Sequence, residues 1–167
     1  MVFDILPETP AHETDIDALH DLSFGPGRFA KTAYRMREGV PPVSSLSFVA
    51  FAEIEGASRM VGSIRFSPLV IGGEQGLLLG PLAMDPSVRG LGGGLELMRT
   101  ALDAARAEGH QFVILVGDAP YYAKVGFQQV PPGKITLPGP VDKSRLLYCE
   151  LVPGGFDAVS GTVEKGA

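Results

Sequence analysis

A glycine-rich segment, RGLGGGLEL at residues 89–97, is the part of this sequence that most directly predicts chemistry. If a helix begins at these glycines, its first amide groups lack partners and carry partial positive charge, so an anion can bind there. Glycine lets a phosphate approach the backbone, and a side chain at Gly92 or Gly94 would intrude on it. The segment therefore predicts a diphosphate site; the alternative is a turn required only for tight packing of a strand against a helix.

Two common phosphate-binding motifs do not fit this segment. A P-loop has Lys and then Ser or Thr after its glycines, whereas Leu95 and Glu96 follow here. The dinucleotide motif G-x-G-x-x-G, aligned on Gly90 and Gly92, needs a third glycine at position 95 and a place near the first strand of the chain. Neither condition is met, so the segment belongs to another class of anion site.

Groups that could transfer protons follow in GDAPYYAKVGF, residues 117–127. A tyrosine phenol has a pKa of about 10, so Tyr121 and Tyr122 stay protonated near neutral pH and can act as general acids. Neighbouring residues of a helix point about 100° apart, so only one of the two can face a given atom. Asp118 could act as a base, or it could serve simply as the N-cap of a short helix.

Length and composition limit the remaining functions. With 167 residues, 45% of them hydrophobic, the sequence predicts a single domain over residues 1–167 with a sizeable core. No apolar run approaches the ~20 residues of a membrane span, and the N-terminus lacks the pattern of a signal peptide, so we expect a cytoplasmic protein without membrane contact. The net charge of −5 argues against nucleic acid as a partner.

Neither a metal site nor a disulfide is predicted. His12, His20 and His110 show no ligand spacing with one another or with Cys149, and a single cysteine excludes an intramolecular disulfide. Cys149 lies in the apolar run LLYCEL and is a candidate nucleophile by residue type alone. A lone cysteine in a strand is usually a small core residue, which is the interpretation we favour.

The elements that precede the glycines are two helices and three strands. Apolar spacing predicts a helix over residues 15–22. A second helix is predicted over residues 29–37, after the segment FGPGR. Strands are predicted over 46–52, 60–70 and 77–84, with a bulge or an edge at Gly80-Pro81 because proline has no backbone donor. The second helix carries the most basic stretch of the chain, which is either a solvated face or the lining of a substrate mouth; its residues are Arg28, Lys31, Arg35 and Arg37.

After the glycines, apolar residues at steps of four and three predict an amphipathic helix that ends at Gly109. The run QFVILV at 111–116 predicts a buried strand, so strand, turn, helix and strand form a βαβ crossover with one parallel pair. A short helix between Asp118 and Gly126, strands at 127–130 and 146–151, and a partly ordered glycine-rich tail from Pro153 complete the prediction. The apolar residues of the long helix are Leu91, Leu95, Met98, Leu102 and Ala105.

The motifs taken together resemble those of the GCN5-related N-acetyltransferase superfamily. Arg89, Gly92 and Gly94 match its R/Q-x-x-G-x-G/A loop. The segment LGPLAMDPSVRGLGGGLELM resembles its fourth strand and loop, and VILVGDAPYYAKVGF resembles its fifth strand and following helix. The details are most similar to predicted acetyltransferases of the YhbS type. The resemblance is strong over residues 77–127 and looser over most of the chain.

The resemblance implies an α/β (α+β) fold, whose mixed and mostly antiparallel sheet is splayed between its fourth and fifth strands and flanked by helices. It also implies acetyl-CoA as co-substrate, with the pantetheine arm on the fourth strand and the pyrophosphate on the glycine loop. Tyr122 matches the proton-donating tyrosine of Y-x-x-x-G-F. The matching cofactor-binding residues are Leu82, Ala83 and Met84 on the strand, and Arg89, Gly90, Leu91, Gly92, Gly93, Gly94 and Leu95 on the loop.

The activity implied is transfer of an acetyl group from acetyl-CoA to a primary amine of a small molecule or peptide, by direct attack without a covalent acyl-enzyme. The fourth strand, GLLLGPLAM, contains no carboxylate, so the base would be water, Asp118, Glu53 or Glu55. Two alternatives stay open: a non-catalytic acyl-CoA-binding module, and an enzyme with a macromolecular acceptor such as a protein N-terminus or aminoacyl-tRNA. Both a monomer and a homodimer are compatible with the sequence.

Overall fold

The computed structural model describes residues 1–24 and 32–166, and it shows a mixed sheet with helices packed against it. The strand order is β1-β2-β3-β4-β5-β8-β6, and β9 pairs with both β3 and β7. Among the described residues, no helix is long and apolar enough to cross a membrane. The strands are β1 Asp4–Pro7, β2 Phe48–Ile54, β3 Ala57–Ile71, β4 Glu74–Met84, β5 Phe112–Val116, β6 Gln128–Gln129, β7 Ile135–Thr136, β8 Leu146–Glu150 and β9 Gly161–Lys165; the helices are α1 Glu13–Phe24, α2 Thr32–Arg35, α3 Gly93–Ala107 and α4 Ala119–Ala123.

The N-terminal half contains the predicted elements in order, but strand β1 precedes them and was not predicted, because its four residues are too few to show a periodic pattern. Helix α1 is two residues longer at each end than predicted, and the β2–β3 hairpin turns at Glu55 and Gly56, which both have positive φ (51° and 80°). Two left-handed residues in a row are typical of the tight turn that matches the twist of a hairpin. The predicted helix over 29–37 is described only from residue 32, and Arg28 and Lys31 lie outside the described residues.

The βαβ crossover is confirmed, and the sheet also shows the splay that the resemblance implies. Strands β4 and β5 are parallel and pair at Leu77–Val113 and Leu78–Ile114. Beyond these two pairs the strands separate, while β4 continues alongside β3. The fold is therefore the expected α+β arrangement, with an opening between the fourth and fifth strands.

The predicted irregularity at Gly80-Pro81 is a bulge in β4. Ile64 of β3 pairs with Leu82 and Phe66 pairs with Leu79, so two residues of β4 stand opposite one residue of β3. Proline cannot donate to a ladder, and a bulge of this kind bends its strand. The Gly80-Pro81 peptide bond is cis. The bend lies just beyond the last pair with β5, where the two strands diverge.

Alternate residues of β4 and β5 supply cores on opposite faces of the sheet. Leu77 and Leu79, with Val113 and Leu115, belong to the core that packs under α3. Leu78 and Ile114 belong to a second core, beneath residues 130–141 and the C-terminal tail. The prediction that Leu91 lies on the apolar face of the long helix is wrong: α3 begins at Gly93, and Leu91 lies in the preceding turn with 51% of its surface exposed.

The tail from Pro153 differs from the partly ordered segment that the sequence indicates. Val163 of β9 pairs with Ile71 of β3, and Thr162 pairs with Thr136 of β7. The ring of Phe156 stacks on that of Tyr148, with centroids 4.4 Å apart. Glycines dilute the apolar residues of this segment, which hides their periodicity, yet three of them are buried: Phe156, Val159 and Val163.

We expect Val163→Ala to lower the free energy of unfolding by about 2 kcal/mol, because it removes two buried methyl groups and leaves a cavity. The side chain is 2% exposed and belongs to the second core. Chemical denaturation measures the change, and Val2→Ala is the matched control because Val2 is 80% exposed. Equal stability of the two variants would mean that the tail contributes nothing to the packed core.

Candidate active site

Two cavities meet where β4 and β5 separate. The cleft cavity, about 390 Å³, lies between the strands, and the helix-start cavity, about 400 Å³, lies at the beginning of α3. The cleft cavity is bordered by residues 79–82 of β4, residues 115–118 around the end of β5, and Arg145. The two cavities share Phe24, Leu82, Tyr121 and Tyr122.

The helix-start cavity has the free amide groups expected of an anion site. The first amide of α3 bonded within the helix is that of Glu96, which donates to Gly92 O at 3.1 Å. No side chain caps the helix. Within the described part of the chain, the amides of Gly93, Gly94 and Leu95 have no partner, and all three residues line the cavity. They offer hydrogen bonds at the positive end of a 15-residue helix.

The glycines of the loop serve two different purposes. Gly90 and Gly92 have φ of 80° and 94°, and a Cβ on either would face open space. A Cβ on Gly93 would come within 2.6 Å of Met84 Cε, and one on Gly94 would overlap Tyr121 Oη. A side chain at Gly94 would first meet the Tyr121 hydroxyl, whereas one at Gly92 would enter open space, so Gly92 is the clearer position for testing whether a side chain obstructs the anion.

The free edge of β4 follows from the alternation of its backbone groups. Asp85 N–H donates to Val61 O of β3 at 2.7 Å. The backbone N–H and C=O groups of successive residues in a strand point in alternate directions. Those of Ala83 therefore also point to β3, whereas those of Leu82 and Met84 point to the opening. Ser23 Oγ donates to Met84 O at 3.1 Å. Leu82, Ala83 and Met84 all line the helix-start cavity, and Leu82 and Met84 direct their backbone groups into it.

Tyr122 is held at the junction of the two cavities. Its ring packs against Gly117, where a Cβ would overlap it, and edge-on to Phe127, with centroids 6.0 Å apart. Burial raises the pKa of Tyr122 to about 12; the nearby Tyr121 also raises it, whereas Arg37 and Arg145 oppose the shift. The phenol therefore stays protonated at neutral pH. It interacts electrostatically with charged residues of the cleft cavity.

The side chain of Tyr121 points in a different direction from that of Tyr122, because the two residues are neighbours on helix α4. Its hydroxyl lies against Gly94 at the start of α3, and its ring meets that of Tyr122 edge-on at 5.2 Å. Burial raises the pKa of Tyr121 as well. Both tyrosines are thus protonated donors, but only Tyr122 interacts with the arginines of the cleft.

The carboxylates considered as bases occupy different places. Asp118 is the N-cap of α4 by position, yet its side chain makes no capping hydrogen bond, and it is exposed at the cleft cavity. Glu53 and Glu55 lie at the end of β2 and in its turn, and they line neither cavity. Asp118 is therefore the carboxylate that the fold brings to Tyr122.

Cys149 lies in the core, which confirms the interpretation favoured from the sequence. It is 4% exposed in β8, and burial raises the pKa of its thiol. Its sulfur contacts Glu150 O at 3.7 Å and lines neither cavity. A thiol that is protonated and shielded from ligands is a poor nucleophile.

The basic stretch contributes one residue to the site that sequence reasoning did not single out. Arg35 is exposed and lines neither cavity, whereas Arg37 lines the cleft cavity. Tyr34, Phe24 and Arg145 also line it and were not predicted. Charge alone could not separate Arg37 from its neighbours. The nearest signal was the glycine at the bulge of β4, against which Arg37 packs.

A mixed sheet splayed at β4 and β5, with a glycine-started helix at the opening, defines the acetyltransferases of the GCN5-related class. The chain belongs to this class: the model of the Acetyltransferase (GNAT) family matches residues 15–127. No group of three or more metal-binding side chains occurs in residues 1–24 and 32–166.

Similar proteins agree with this assignment. The chain is 30% identical to the uncharacterised N-acetyltransferase YhbS of Escherichia coli K12, over 94% of this chain and 92% of that protein. The crystal structure of Escherichia coli YhbS in complex with CoA aligns with a TM-score of 0.82 at 29% identity, covering 98% of this chain and 89% of that one. A GNAT acetyltransferase of Brucella melitensis in complex with acetyl-CoA aligns with a TM-score of 0.71 at 25% identity, covering 99% and 97%.

Proposed function

We propose that residues 1–167 form a single acetyltransferase domain that moves an acetyl group from acetyl-CoA to a primary amine. The observation that carries this proposal is the position of Tyr122, at the junction of a cavity suited to the cofactor and a cavity open to an acceptor. The complexes of similar proteins with CoA and acetyl-CoA support the choice of cofactor.

The cofactor fits the helix-start cavity and the free edge of β4. The pyrophosphate would accept hydrogen bonds from the unpaired amides of α3, and the loop residues that line the cavity, Arg89, Gly90 and Gly92 to Leu95, would surround it. Leu91 does not line the cavity. The pantetheine arm is peptide-like, so it would pair with the backbone groups of Leu82 and Met84. Bound there, the cofactor supplies an acyl group activated as a thioester.

Proton transfer is assigned to Asp118 and Tyr122. An amine with a pKa of about 10.4 is protonated at neutral pH and must lose a proton before it attacks. Asp118, exposed beside the cleft, would accept it directly or through water. As the N–C bond forms and the C–S bond breaks, the Tyr122 hydroxyl would deliver a proton to the departing sulfur. Because the pKa of Tyr122 is about 12, its phenolate is a strong base, and it would recover a proton from the attacking amine in the same turnover.

Direct attack in a ternary complex is the simplest route through this site. The two cavities share a wall, so cofactor and acceptor can be bound together. Cys149 lies in the core and cannot serve as an acyl carrier there. Transfer from cofactor to amine therefore needs no covalent acyl-enzyme.

We expect thiol release from acetyl-CoA to depend on an added amine. The test measures release against a panel of amino acids, small amines, peptides and aminoacyl-tRNA, beside a calorimetric titration with CoA. Amine-dependent release with CoA binding supports the proposal. CoA binding without release on any amine indicates a binding module, and release only with peptides or aminoacyl-tRNA indicates a macromolecular acceptor.

A further inference from the structure

Arg37 lies between the cleft cavity and a neighbouring cavity beside α1. The two cavities share Tyr34, Arg37, Gly80 and Pro81. The guanidinium packs directly on the bulge of β4: a Cβ at Gly80 would overlap Arg37 Nη2 and lie 3.1 Å from its Cζ. The absence of a side chain at Gly80 thus provides the space that the guanidinium occupies.

This guanidinium has no counter-ion in the described part of the chain. Its Nε is buried without a hydrogen-bond partner, and no carboxylate of residues 1–24 or 32–166 forms an ion pair with it. Burial lowers the pKa of Arg37 to about 10, while Tyr122 and Tyr34 act in the opposite direction. The group therefore remains a cation at neutral pH. The side chain as a whole is half-buried and borders both cavities. A partly buried charge without a partner is costly, and a bound anion would offset that cost.

The surrounding charges determine the side from which an anion can approach. In the cleft cavity, Arg37 and Arg145 face a single carboxylate, Asp118. On the other side of Arg37, Arg65 is already paired with Glu8 at 2.9 Å, and the carboxylates of Asp17 and Glu38 line the neighbouring cavity and repel an anion. An anion is therefore favoured on the cleft side, next to Tyr122. The other charged or titratable residues of the neighbouring cavity are His20 and Asp21.

We propose that Arg37 binds a carboxylate of the acceptor, and that the acceptor is an amine with a carboxylate beside its reacting nitrogen, as in an α-amino acid. A guanidinium presents a planar fork that matches a carboxylate. A carboxylate bound there places the neighbouring nitrogen close to Tyr122 and the junction of the cavities. The cleft cavity, about 390 Å³, is within the roughly 300–1,000 Å³ of small-molecule sites. The inference rests on the proposed acetyl transfer and specifies its acceptor.

The experiment compares α-amino acids with the matching α-amino amides, which lack the negative charge. Because the amide also lowers the pKa of the α-amine, kcat/KM is expressed per neutral amine for both series. We expect the parent protein to prefer each acid over its amide by roughly 10-fold or more in kcat/KM, because the amide leaves the arginine unpaired. Arg37→Gln should raise KM for the acids by a similar factor and abolish the preference, with the amides little changed. Arg35→Gln is the matched control and should behave as the parent, because Arg35 is exposed and lines neither cavity.

Binding is measured separately by calorimetry, with α-amino acids titrated into the CoA-saturated protein. An amino acid that binds the parent and not Arg37→Gln upholds the carboxylate site even where no turnover is detected, a result that would count against the proposed function alone. Absence of amino acid binding to the parent overturns the inference. It is also overturned if the parent prefers the amides, or if Arg37→Gln lowers kcat equally on acids and amides. If Arg37→Gln does not fold, Arg37→Lys takes its place: it should keep the charge but weaken acid binding, and unchanged binding overturns the fork geometry.

Discussion

Replacement of Tyr122 by phenylalanine should lower kcat by ~100-fold or more while leaving the dissociation constant of CoA nearly unchanged. Phenylalanine preserves the ring, which packs against Gly117 and Phe127, and removes the hydroxyl proton alone. Loss of a general acid costs typically 10²- to 10⁴-fold in rate, roughly the range expected here. Steady-state kinetics with the best amine of the panel gives kcat, and calorimetry gives the dissociation constant.

Tyr121→Phe is the matched control, because the same hydroxyl is removed from the adjacent residue. Tyr121 Oη lies against Gly94 rather than among the charges of the cleft, so we expect kcat to change by a few-fold at most. Full turnover in Tyr122→Phe with a large loss in Tyr121→Phe would assign the acid to Tyr121. Full turnover in both would remove tyrosine from the mechanism.

The pH dependence of the parent protein gives an independent check. A general acid works in its protonated form, so its contribution is present below its pKa and is lost as the pH rises through it. Burial raises the pKa of Tyr122 to about 12, and Tyr122 should therefore cause no fall in kcat below about pH 11. A basic limb near pH 9 that disappears in Tyr122→Phe would contradict the raised pKa.

Replacement of Gly92 by valine should raise the dissociation constant of CoA by roughly 10-fold or more. The left-handed conformation of Gly92, with φ of 94°, costs a residue with a Cβ about 1–3 kcal/mol, and 1.4 kcal/mol corresponds to about a factor of ten. Without a ligand, the loop would relax to a conformation that valine prefers, and CoA binding would have to restore the left-handed conformation. A Cβ there faces open space, so the protein should still fold. Calorimetric titration with CoA measures the effect.

Gly109→Val separates this effect from general strain. Gly109 also has positive φ (88°) and open space around its Cβ, and it follows the opposite end of α3. Both variants place a β-branched residue at a positive φ and should still fold, but only Gly92→Val should lose affinity for CoA. If both variants lose affinity for CoA equally, or if neither loses affinity, the pyrophosphate does not bind at this loop.

The parts of the site that depend on local sequence could be predicted. A glycine run before an amphipathic repeat defines the start of α3, and the order strand, helix, strand fixes the parallel pair of β4 and β5. The same locality allows Tyr122 to be placed on the short helix after β5. The Gly80-Pro81 pair likewise predicted a bulge or an edge in β4, because proline has no backbone N–H to donate, and the structure has a bulge there.

Features that arise from contacts between distant segments could not be predicted. Arg37 reaches the cleft because α2 is held against the loop before β8, where Thr32 Oγ1 donates to Pro140 O at 2.6 Å. Nothing in the composition of either segment indicates that contact. Likewise, the role of Gly93 and Gly94 in packing depends on Met84, Phe3 and Tyr121, which only the folded chain brings together.

The strands on either side of the cleft are joined at points away from it. Within the described residues, β4 and β5 share two pairs below the opening, and β9 links β3 to β7. Buried side chains pack on both faces of this sheet, under α3 and under residues 130–141. The width of the opening is therefore set by the core before a ligand arrives. A ligand that enters spends none of its binding free energy on separating strands, so the cleft is preorganised and one of the usual costs of binding is absent.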